Sequence, residues 1–160
     1  MKKWIIIGLL LLSAMTQAQK INYEELMEMD GITTVYVSEA MFKLLPKETL
    51  NANVNNVDLA KMVGGMKEIY IFTTEDTAKK KILKEMFSNQ SKKSPNIEML
   101  MFVKDGPDRV KMFAEKKGQR VTGLFLHAEE EKEFTVISIL GDFFMDDIQK
   151  AISGGQKKAK

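Results

Sequence analysis

The chain has 160 residues, with 24 Lys+Arg against 22 Asp+Glu, one histidine and no cysteine, for a formal net charge of +2. Lys2 and Lys3 lie in the first 18 residues, which hold no acid, so the remainder balances at 22 against 22. That balance argues against a nucleic-acid binder, which needs a basic excess to neutralise phosphates. The missing cysteine excludes disulfides, zinc–thiolate sites, thiol nucleophiles and lipid attachment through cysteine. A single histidine leaves almost no room for a histidine-cluster metal site.

Residues 1–18 have three parts: a positive start at Met1–Lys3, an apolar run from Trp4 to Leu12 broken only by Gly8, and a small, polar stretch from Ser13 to Ala18. Thr16 and Ala18 occupy the −3 and −1 positions of a cut before Gln19, the layout of a secretory signal peptide. The apolar run is too short for the roughly 20 residues that span a bilayer. The expected product is therefore periplasmic or secreted, with no stable membrane anchor. It should be a single domain over residues 19–153, followed by a flexible basic tail at 154–160. Trp4, the only tryptophan, leaves with the leader.

The remaining elements follow in chain order. Asn22–Met29 reads as a short helix with Leu26 among its apolar residues. Ile32–Val37 is β-branched and aromatic, a strand. Ser38 then caps a short helix with Met41, Phe42, Leu44 and Leu45 on its apolar face, stopped by Pro46. Pro46–Asn56 reads as a loop. Val57–Val63 reads as a helix ended by Gly64–Gly65. Ile69–Thr73 is fully apolar up to its threonine and reads as a strand buried on both faces. Thr74 is the expected N-cap of a helix that buries Ala78, Ile82, Leu83, Met86 and Phe87 and turns Lys79, Lys80, Lys81 and Lys84 outward. Ser88–Pro95 reads as a loop.

Beyond Pro95 the pattern changes to strands: Ile97–Val103, Arg109–Ala114, Val121–His127 and Phe134–Leu140. Their short polar connections at Lys104–Asp108, Lys116–Gly118 and Glu129–Lys132 favour antiparallel hairpins. Asp142 is the expected N-cap of a last helix carrying Met145, Ile148 and Ile152 on one face. The order predicts an α+β fold, a mostly antiparallel sheet of about six strands with helices packed mainly on one face as a two-layer sandwich.

Three segments carry a resemblance: Ile32-Thr-Thr-Val-Tyr-Val-Ser-Glu-Ala-Met-Phe42, Ile69-Tyr-Ile-Phe-Thr-Thr74, and Ile137-Ser-Ile-Leu-Gly-Asp142 followed by Asp146-Asp147-Ile148. They resemble the domain-of-unknown-function family "four-two-five-two", small exported proteins found mainly in Bacteroidetes. The resemblance covers most of residues 20–153 and rests on structural motifs. It implies an exported single domain, often lipid-anchored or periplasmic, in an envelope-response setting. This chain departs from lipoprotein members in having no cysteine after the leader. The resemblance carries over no catalytic residue.

The candidates for chemistry are few. His127 shares a strand side with Phe125 and Gly123, and with Glu129 if the strand continues. A lone imidazole lacks the three or four ligands that a metal needs, so it reads as a solvent-facing residue at a strand end, and His127→Ala should leave the fold unchanged. Glu129, Glu130, Glu131 and Glu133 read as a wet, charged hairpin turn rather than a glycosidase pair, which must face across about 5–10 Å. Asp142, Asp146 and Asp147 lack the spacing of a calcium loop. Met41, Met62, Met66, Met99 and Met101 read as core, with Met99 and Met101 on one strand face; copper(I) binding and an adaptable surface are the other readings. Lys79–Lys81 and Lys84 form a solvated face. Lys157, Lys158 and Lys160 belong to the tail. Gly64-Gly65 and Gly154-Gly155 make no phosphate loop, and no serine sits in a nucleophile elbow.

No catalytic, cofactor-binding or metal residue is assigned, no cofactor is implied, and the binding residues are unknown. The expected function is a non-enzymatic binding or accessory module of unknown ligand. Its apolar second sheet face calls for a protein partner or homo-oligomer, and export makes nucleic acid an unsuitable partner. The alternative is a carboxylate-based envelope hydrolase.

Overall fold

The computed structural model describes residues 21–45, 63–146 and 148. The leader expected at 1–18, the loop expected at 46–56, all but the last residue of the helix expected at 57–63 (Met62 included), Asp147, Ile152 and the tail expected at 154–160 lie outside these.

Helix α1 spans Tyr23–Met27, shorter than the expected Asn22–Met29 because Asn22 is the cap, its side chain accepting from Glu25 N at 3.3 Å. Strand β1 (Thr33–Ser38) follows, and Ser38 caps α2 (Glu39–Leu44) by accepting from Met41 N, as expected. Strand β2 runs Met66–Thr74.

Helix α3 spans Thr77–Lys93. Its cap is Asp76, whose carboxylate accepts from Lys79 N at 2.8 Å, not Thr74. The Thr74 hydroxyl instead ties two turns together, donating to Gly31 O at 2.6 Å and accepting from Asp76 N. The helix also runs through most of the loop expected at Ser88–Pro95. Ser, Asn and Gln are only weak prior evidence against a helix. Here Leu83 and Phe87 dock on the sheet, and the Ser91 hydroxyl bonds back to Ser88 O. Ser94 is the C-cap, immediately before Pro95.

Strands β3 (Ile97–Asp105), β4 (Asp108–Lys117), β5 (Arg120–Glu129) and β6 (Phe134–Phe144) form the expected meander. The first two turns are Gly106-Pro107 and Gly118-Gln119. Gly106 and Gly118 have φ of 54° and 64°, the left-handed region that hairpin turns need and glycine supplies.

The fold is α+β, a six-stranded, wholly antiparallel sheet of order β1-β2-β6-β5-β4-β3. Helix α3 carries the chain from β2, next to one edge, to β3 at the other. Two rows cross the sheet. On the helix face, Thr34, Phe72, Val136, His127, Lys111 and Phe102 stand side by side; on the second face, Val35, Ile71, Ile137, Leu126, Met112 and Met101 do.

The main core joins Leu26, Leu83 and Phe87 of the helices to Tyr70, Phe72, Phe134 and Val136. A second core uses the other face, where Phe42 and Ile148 pack with Ala114, Leu124, Phe143 and Ile139. Strand β2 is thus buried along Tyr70, Phe72 and Thr74 and only half-buried along Ile69, Ile71 and Thr73, not buried on both faces. Asp142 also departs from its expected cap role. It lies within β6, where the ladder with β5 continues through Val121–Phe143 and Arg120–Phe144, and its carboxylate pairs with Arg120.

Candidate functional site

Strand alternation puts His127 on the helix face with Phe125, as expected. Its surroundings do not match the expected solvent-facing strand end. Strands β4 and β6 flank β5, and α3 crosses above it, so the imidazole is only 9% exposed. Three rings surround it: Phe113 at 5.0 Å, Phe87 at 5.6 Å and Phe134 at 6.4 Å between centroids. Burial, assisted by the nearby Lys111 charge, pushes the imidazole down to about 4, so it is neutral at pH 7. It makes no hydrogen bond among the described residues. Replacing it by alanine would empty a packed position, which reverses the expectation of an unaffected fold.

Two adjoining clefts open on either side of this ring, under the C-terminal half of α3. One, of about 170 Å³, is bordered by Lys84, Ser88, Arg109 and Glu129. The other, of about 270 Å³, reaches Ser91, Lys92, Ile97, Met99 and Phe113. His127, Ser88 and Lys111 line both. Four cationic side chains therefore face one carboxylate.

Glu129 lies on the His127 side of β5, but it serves the cations. Lys84 Nζ donates to it and Arg109 lies 3.9 Å away, which holds its carboxyl below the usual range, the Lys84 hydrogen bond first. The expected solvated lysine face is thus partly structural. Lys84 also sits 5.7 Å from the centre of the Phe134 ring, and Lys80 Nζ donates to Glu130 O at 2.9 Å, pinning the acidic turn. Glu130 and Glu131 stay exposed on that turn, as expected.

At the sheet edge, Met99, Leu100, Met101, Phe102 and Val103 of β3 are all exposed. Met99 and Met101 were expected on one face of the core. Instead they oppose Phe113 and Met112, neighbours on β4, so a bulge at Leu100 sends them to opposite faces, 51% and 39% exposed. Met66 does belong to the core.

Among the described residues no cluster of three or more His, Asp or Glu is placed to hold a metal, and no helix is long and apolar enough to cross a membrane. Sequence reading passed over Arg109, Lys111 and Phe113, although their alternate spacing on β4 already put two cations and an aromatic ring on one side. The missing information was that β4 lies beside His127.

A family model described as a domain of unknown function (DUF4252) matches residues 23–151. The chain belongs to that family. No curated protein matches it.

Proposed function

Taking that family membership as the premise, we propose that the protein is an exported, non-enzymatic binding or accessory module. It acts in the periplasm or outside the cell, in an envelope-response setting. The observation that carries the reading is strand β3. Five consecutive apolar side chains are exposed there, on a strand that among the described residues is paired only on its β4 side. An edge strand with free N–H and C=O groups is a template for an added strand, and apolar side chains on both faces add affinity. The three-part leader supports export.

The occupant of this edge is an extended protein segment, from a partner or a second copy of the chain. Light scattering and affinity capture of the processed protein, with and without Met101→Lys and Val103→Lys, test this. Association or capture that the substitutions abolish supports it. A strict monomer that retains the same partners after substitution overturns it.

The hydrolase alternative has weaker support. It needs two facing carboxyls, and beside His127 the clefts offer Glu129 alone, already committed to Lys84 and Arg109.

A further inference from the structure

We propose that the cleft between α3 and strands β3–β5 is a binding site for a small amphipathic anion, a carboxylate carried on a hydrocarbon body. This inference is independent of strand addition at the β3 edge.

The charge pattern comes first. Lys84 and Arg109 share Glu129, whereas Lys111 from β4 and Lys92 from α3 have no acidic partner among the described residues. Two uncommitted ammonium groups thus border one cavity from different elements. Lys111 Nζ lies 5.9 Å from the centre of the Phe102 ring.

The second observation is His127 itself. It is a polar side chain more than nine-tenths buried, it lines both clefts, and it lacks a hydrogen-bond partner among the described residues. Its ring nitrogens are not sealed from solvent, so they open onto the clefts, where water or a ligand can bond them. A carboxylate reaching Lys111 would supply an acceptor for the imidazole N–H, and the Ser88 hydroxyl adds a donor on the same wall.

The ligand's remainder follows from the wall chemistry. Ile97, Met99 and Phe113 give the larger cleft an apolar wall, which suits a hydrocarbon chain or ring. Volumes of about 170 and 270 Å³ each lie below the roughly 300 Å³ at which ordinary binding pockets begin, which limits the ligand to a small one. A monoanion suits this place better than a phosphate dianion. The larger cleft reaches the last turns of α3 at Ser91 and Lys92, where the helix dipole is negative, and Glu129 borders the smaller one with a further negative charge.

The sole histidine makes the test direct, because untagged protein gives one set of imidazole resonances. Decanoate is titrated into the full-length processed protein by NMR, alongside decanol, acetate and inorganic phosphate. Saturable movement of the His127 signal by decanoate is expected, with a rise of about one pH unit or more in its titration midpoint. The charges facing the ring there are Lys84 and Lys92 of α3, Arg109 and Lys111 of β4, and Glu129 of β5. Lys111→Gln and the more exposed Lys92→Gln should each weaken decanoate at least about tenfold, since a charge-assisted hydrogen bond is lost. Met101→Lys should leave it unchanged. The site is overturned if decanoate does not saturate, if decanol or phosphate acts equally well, or if neither lysine substitution weakens binding.

Discussion

Phe72 and Phe102 stand in the same row of the same sheet face, four strands apart, and meet opposite environments. Phe72 is 0% exposed beneath α1 and α3, stacked with Tyr23 and Tyr70; Phe102 is 52% exposed with a lysine as its neighbour. Between them the row passes from Val136 through His127 to Lys111. One half of the sheet is an ordinary core. The other half keeps apolar side chains where no described helix covers them, and the cleft lies at the transition. Apolar residues in a strand pattern therefore have two meanings here, and the crossing helix separates them.

The largest test of that contrast is Phe72→Ala against Phe102→Ala in chemical denaturation. Removing Phe72 should cost about 3–5 kcal/mol, and removing Phe102 less than about 1 kcal/mol. Similar losses would mean that β3 is covered in solution. Next is the pH dependence at the boundary between the halves. His127 has a folded pKa of about 4, below its ordinary 6.5, so the unfolded chain binds the proton more readily. Its contribution is intact above pH 6.5 and declines as pH falls towards 4. The loss approaches about 3 kcal/mol. His127→Phe should flatten that part of a stability–pH profile; an unchanged slope would show that the imidazole is not buried. Glu129, whose pKa is lowered, adds a loss in the same direction at lower pH, as its carboxylate protonates.

A smaller effect concerns the helix that divides the halves. Asp76→Ala should cost about 1 kcal/mol by removing the cap of α3, measured by thermal or urea unfolding. The smallest is Met101→Lys, which should change monomer stability by no more than about 0.5 kcal/mol. A large loss would place Met101 in a core after all.

Much of the covered half was legible in the sequence. Ser38 as a cap and Leu83 and Phe87 as a helix stripe are local signals, and each holds. The exposed half was legible as strands but not as an edge, because edge position depends on which strand α3 reaches. The bulge at Leu100 leaves no mark in the apolar run Met99–Val103, so the alternation read across it inverts. Asp142 looked like a cap because Asp before a helical stripe is a sound local rule. Pairing with β5 overrides it. His127 was misread for a similar reason: a position near a strand's end in the chain lies between two other strands in the sheet.

The order of the sheet has a consequence for how the chain assembles. Strand β2 has β6 as its inner neighbour, so Tyr70 faces Ser138 and Phe72 faces Val136 across a long separation in sequence. The β3–β6 meander can grow by successive local hairpins, but the best-packed core cannot close until the last strand has emerged. Non-local pairing of this kind is slow to form. During synthesis the N-terminal half must wait as an open chain, its aromatic residues exposed, for a strand that arrives last.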